Sequence, residues 1–161
     1  TDTDTDTDTD VDCEGLDPDN LVIFSAGDAD DVCACGYTTA GSVYINATGS
    51  DPVDLSCIET IENDLEIENA NAISIDISGL GSVGDELNIH SNDSLESVDL
   101  SGLLTVDSYV QIQSNDDLIT VDLSSLLTVD DYFSVSSNSN LESLTMTALS
   151  DLGEKFNIIA I

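Results

Sequence analysis

LNIHSNDSLESVDLSGLLTVDSY, residues 87–109, runs without a gap into VQIQSNDDLITVDLSSLLTVDDY, residues 110–132, and then into FSVSSNSNLESLTMTALSDLGEK, residues 133–155. The segments superimpose at a period of about 23 residues, within the range of repeat architectures. Apolar residues return at fixed places: Leu87, Val110, Phe133 and Phe156; Leu95, Leu118 and Leu141; Val98, Val121 and Leu144; Leu103, Leu126 and Leu149. Within each segment they form short runs of period two, L-x-I and V-x-L, separated by Ser, Asn, Asp and Gly. That is strand-and-turn chemistry, with no helical i, i+3, i+4 stripe of useful length.

Towards the N-terminus the frame continues at about 22 residues. It places Leu65, Val43 and Leu21 in the column of Leu87, and it brings Cys13, Cys35 and Cys57 to one equivalent position. One coil of this length cannot bury its own apolar residues, whereas stacked coils bury a continuous column of Leu, Ile and Val at a strand spacing of about 4.8 Å. Strand starts at positions 21, 43, 65, 87, 110, 133 and 156 predict an all-β solenoid of about six to seven coils in a rod roughly 30 Å long. The expected organisation is a Thr-Asp tract over residues 1–12, a disulfide-stapled N-terminal cap and first coil over 13–42, and the solenoid proper over 43–161.

The stretch ELNIHSNDSLESVDLSGLLTV, with DLEI and LSCIETI leading into it, resembles the receptor L-domain family. These are leucine-rich-repeat relatives found in growth-factor receptor ectodomains, with similar repeats in fungal cell-wall and bacterial surface proteins. The likeness covers about residues 40–161 and implies a right-handed β-helix and a secreted, non-catalytic surface module. Residues 1–20 fall outside it. With no second L domain or cysteine-rich partner domain in these residues, a receptor role does not carry over.

The chain has 34 acidic side chains against one base, Lys155, for a formal charge of -33. Such a surface repels nucleic acid and anionic membranes. Yet 40% of the residues are apolar, so the acid decorates a core and does not replace one. No apolar run is long enough for a membrane-spanning helix and no signal-peptide pattern is present, so a mature exported chain is expected.

Cys13, Cys33, Cys35 and Cys57 crowd into the first part of the chain. Their even number fits the disulfides of an exported protein, and C-A-C at 33–35 lacks the C-x-x-C spacing of a zinc site. As column neighbours, Cys35 and Cys57 form the first expected pair, leaving Cys13 with Cys33. Cys13 with Cys35 and Cys33 with Cys57 is the competing connectivity.

Stacking turns each repeated polar residue into a ladder. Asn92, Asn115 and Asn138 are expected to bond to one another and to turn backbone. Asp54, Asp76, Asp99 and Asp122 point outward by alternation, about 5 Å apart. They are either a solvated acidic face or a ladder bridged by Ca²⁺, the one candidate ion for a chain otherwise expected to carry no cofactor. Tyr109 and Tyr132 are one period apart, expected to pack on each other, with sugar stacking as the alternative. His90 is outward by parity and reads as a surface residue. No Ser/His/Asp or Cys/His set and no enclosed carboxylate pair is visible, so an enzyme is not expected.

Two sequons, at Asn46 and Asn92, can accept N-glycans, and Asn46 is the better candidate because Asn92 is a ladder residue. Thr1, Thr3, Thr5, Thr7 and Thr9 are candidate O-glycan sites. Extended, the ten-residue tract reaches about 33 Å, enough to run along a neighbouring subunit and add a strand to an open edge. The C-terminal stretch EKFNIIAI begins a strand whose coil is not completed in this sequence, leaving Phe156, Ile158 and Ile161 for a neighbour. The expectation is therefore an extracellular, glycosylated structural subunit that polymerises head to tail, with self and covalent glycans as partners. A monomeric cell-surface adhesin or lipoprotein module binding carbohydrate, cation or protein is the alternative.

Overall fold

A computed structural model describes residues 13–159, which wind into a parallel β-solenoid. Each regular coil gives one strand to each of three sheets. The seven-stranded sheet stacks Asn20–Ile23, Ser42–Ile45, Leu65–Glu68, Leu87–His90, Val110–Gln113, Tyr132–Ser136 and Lys155–Ile159. Its register pairs Leu21 with Val43, Leu65, Leu87, Val110, Phe133 and Phe156 in turn, the column given by aligning the repeats. The five-stranded sheet runs from Val53–Asp54 to Ser143–Thr145, and the six-stranded sheet from Thr39–Ala40 to Asp151–Leu152.

Period-two alternation decides which side chains go inside. In Leu65–Glu68 the two apolar residues are buried and the two glutamates face out. Leu95, Leu118, Val98, Val121, Leu103 and Leu126 join the same core from the turns and the other two sheets.

The amide column holds the corners between the first and second sheets. Asn69, Ser91, Ser114 and Ser137 adopt φ between 51 and 59°, a left-handed conformation that non-glycine residues rarely take. The residue after three of these corners has its N–H captured from the next coil: Ala70 donates to Asn92 Oδ1, Asn92 to Asn115 Oδ1, and Asn115 to Asn138 Oδ1. All three asparagines are fully buried, and each Nδ2 also donates to a core-strand carbonyl, that of Ile67, Ile89 or Ile112.

The first coil departs from the expected all-strand winding. Ala26–Ala34 is an α-helix, α1, which packs on the Val53–Asp54 strand and covers that end of the five-stranded sheet. Its N-terminus is fixed by Ser25, whose Oγ accepts from the Asp28 N–H at 3.2 Å, while Asp28 Oδ2 accepts from the Phe24 N–H at 2.8 Å. Gly36, at φ 76°, ends it just after Cys35.

The helix also corrects the first-choice disulfides. Cys13 bonds to Cys35 and Cys33 to Cys57, not Cys35 to Cys57 and Cys13 to Cys33. On a strand, residues 33 and 35 would share a side; on a helix, two residues apart means about 200° of rotation. Cys33 therefore turns forward onto the next coil, with its Sγ 3.9 Å from the Asp54 carbonyl, and Cys35 turns back to the short 3-10 turn Cys13–Gly15.

The two ends are unlike. At the N-terminal end Leu21, Ile23, Ala29, Val32 and Ala40 are buried, with Leu16 and Tyr37 packed against them. In the last described coil Leu141, Leu144, Met146, Leu149 and Leu152 are only partly buried, and Phe156 and Ile158 are 51% and 38% exposed. These are the residues whose equivalents in earlier coils are shut off from water. The tract with Thr1, Thr3, Thr5, Thr7 and Thr9, and also Ile161, lie outside the described residues.

Candidate functional site

The outward face of the seven-stranded sheet concentrates the polar chemistry. Alternation projects Glu66 and Glu68 from one strand and Asn88 and His90 from the next, and the register sets Glu66 opposite Asn88 and Glu68 opposite His90. His90 Nε2 lies 3.2 Å from Glu66 Oε1, with the His90 side chain 17% and the Glu66 side chain 33% exposed. Among the described residues, Glu66, Glu68 and His90 form the one set of three such side chains whose ligand atoms all lie within 4.8 Å of one another. His90 is thus more than the lone surface residue that its sequence position suggested.

Beside this set, Asn88 Oδ1 is closed to solvent and has no hydrogen-bond partner. It adjoins a void of about 60 Å³ lined by Asp64, Leu65, Glu66, Glu86 and Asn88. Towards the N-terminal end, an open groove of about 420 Å³ runs between Val22, Phe24, Tyr44, Asn46, Glu66 and Glu68.

Tyr109 and Tyr132 stack on the same face, ring centres 4.7 Å apart and nearly parallel, the mutual packing expected from their spacing. The Tyr109 hydroxyl donates to Glu86 Oε2. Burial, then the hydrogen bond and charge of Glu86, push the Tyr109 phenol far above its ordinary range. Burial also raises Tyr132, with the charges of Glu86 and Asp131 adding to it.

The aspartate ladder takes part in turn closure. Asp54, Asp76, Asp99 and Asp122 are stacked in register. In each, Oδ1 accepts the backbone N–H two residues on, from Ser56, Ser78, Ser101 and Ser124, at 2.8 to 2.9 Å. Hydrogen bonds from the Ser56 hydroxyl and backbone hold the Asp54 carboxyl below its ordinary value. One oxygen of each carboxylate is thus engaged in closing a D-[LI]-S turn.

Of the two sequons, Asn92 is corrected. Its amide is fully buried and donates to Ile67 O and Asn115 Oδ1, so a glycan there is incompatible with the folded rod. Asn46 is half-buried at the rim of the groove. Compared with known proteins, the chain matches no family model, no curated protein and no solved structure.

Proposed function

We propose that this chain is a structural subunit of an extracellular, glycosylated fibre, joined head to tail through the exposed apolar section of its last described coil. The observation that carries this reading is the contrast between the two ends. Phe156 and Ile158 continue columns that are buried in every earlier coil, yet here they face water, beside the exposed edge of the Lys155–Ile159 strand. Covering each such side chain contributes about 2 kcal/mol, and a neighbouring copy can supply the cover. Lys155, the chain's single base, sits on that edge. The N-terminal end offers Asp17, Asp19 and the exposed carboxylates of α1 as its complement. Because the two surfaces differ the contact is heterologous, and stacked along the rod axis it repeats without closing, as a filament.

The two disulfides support an oxidising compartment, and among the described residues no helix is long and apolar enough to cross a membrane. The stacked parallel coils agree with the β-helix that the resemblance to receptor L domains implies, and the non-catalytic surface role comes with that resemblance. In this reading the Thr-Asp tract is an assembly arm or glycan carrier, and Asn46 a glycan site. The groove beside Phe24 and Tyr44 favours, as a second reading, a monomeric surface module that binds carbohydrate or protein there.

Sedimentation and negative-stain electron microscopy of the purified full chain test the fibre. Filaments or heavy species are expected, lost in the Phe156→Asp, Ile158→Asp double variant. A wild-type chain that stays at single-subunit mass at high concentration and high salt overturns the proposal.

A further inference from the structure

The chain's single histidine stands in a ligand set that the core of the rod does not require. His90 Nε2 and Glu66 Oε1 are 3.2 Å apart. Two ligand atoms, each about 2.1 Å from a zinc-sized ion and about 100° apart, are themselves separated by about 3.2 Å, so this pair has the spacing of neighbours on one ion. Glu68, directly across from His90, brings a third ligand atom within 4.8 Å of both. The other ring nitrogen, Nδ1, lies 3.3 Å from Ser91 Oγ, the kind of outer partner that orients a ligating imidazole.

Asn88, the cross-strand partner of Glu66, adjoins this set on the same face, and its Oδ1 is closed to solvent beside a void of about 60 Å³ lined by Asp64, Leu65, Glu66, Glu86 and Asn88, with room for a water.

We propose that Glu66, Glu68 and His90 form a surface site for a divalent first-row transition ion of the zinc class. It binds through His90 Nε2 and one oxygen of each carboxylate, with water completing the shell. The imidazole selects this class over Ca²⁺ and Mg²⁺, which prefer oxygen-only shells. The site lies on the side of the rod and is independent of how its ends associate.

The test is zinc chloride titrated into ¹⁵N-labelled full chain, following the imidazole nitrogens of the one histidine, with calorimetry for stoichiometry. One equivalent is expected to saturate a shift at Nε2, while magnesium at the same concentration leaves the ring signals in place. His90→Gln keeps every carboxylate and is expected to weaken zinc binding about tenfold or more. Circular dichroism checks the fold of that variant, and outward-facing Glu68→Gln serves as the second variant. Zinc binding by His90→Gln equal to wild type assigns the ion to unspecific collection by the 34 acidic side chains and overturns the site. An imidazole unmoved by saturating zinc overturns it equally.

Discussion

Asn115 Nδ2 donates to Asn138 Oδ1 at 2.9 Å, and the same oxygen accepts the Asn115 backbone N–H at 3.1 Å. One side-chain amide therefore satisfies both a neighbouring side chain and a corner of the coil below it, in a place from which water is excluded. Asn115→Ala removes the acceptor of the Asn92 backbone N–H and of one N–H of the Asn92 amide, and a donor to the Ile89 carbonyl, inside the rod. Each unsatisfied buried group costs about 1–3 kcal/mol, so a loss of roughly 2 kcal/mol or more is expected in urea unfolding. A loss under about 1 kcal/mol would show that the column is not a structural element.

The first coil is held by caps and cross-links in place of a third strand. Ser25→Ala removes the acceptor for the Asp28 N–H and should destabilise by about 1 kcal/mol. Replacing the Cys33–Cys57 bond by two serines frees a loop of 24 residues and should cost about 3 kcal/mol. Peptide mapping under non-reducing conditions checks the connectivity: a fragment joining Cys35 to Cys57 contradicts the structure.

Tyr109 and Tyr132 make stability fall at high pH. A phenol held neutral by the fold contributes stability that is fully present below its unfolded value of about 10 and is lost as pH rises through its raised folded value. The urea midpoint should therefore drop between pH 9 and pH 11, and drop less in the Tyr109→Phe, Tyr132→Phe double variant. Phenolate absorbance reaching the level of all 4 tyrosines in one step near pH 10, with the fold intact, contradicts this.

Salt should promote end-to-end association. Copies carrying a formal charge of -33 repel one another, and salt shortens the reach of that repulsion to about 8 Å at physiological strength. Average filament mass should rise between low and physiological salt, and Lys155→Glu should shift the rise to higher salt. Light scattering reads both. Association that weakens steadily with salt would show that ion pairs, not the apolar section of Phe156 and Ile158, hold the contact.

Much of the fold was legible because parallel coils stack in register. Aligning Leu87 with Val110 and Phe133 in the sequence is the same operation as pairing their strands in space. The Asn column and the Tyr109–Tyr132 stack followed from the same rule. The Glu66, Glu68 and His90 set carried a signal too, since Glu68 and His90 share a column, but parity alone makes His90 a surface residue, and only side-chain reach brings the three together. Helix α1 was marked by Ser25 and Asp28 three residues apart and by Gly36 at its end, within a coil too acidic to show an apolar stripe.

By itself the sequence determined what repeats: the period, the buried columns and the register, because each depends on side chains one coil apart. Only the tertiary structure decided what does not repeat. Cys33 and Cys35 chose opposite partners because a helix, not a strand, carries them. Asp54 and its stacked equivalents went to turn closure because a backbone N–H lies within 2.9 Å. Asn92 was withdrawn from glycosylation because its amide is spent inside the rod. In each case a local competition between partners was settled by distances of a few ångströms, which spacing along the chain does not encode.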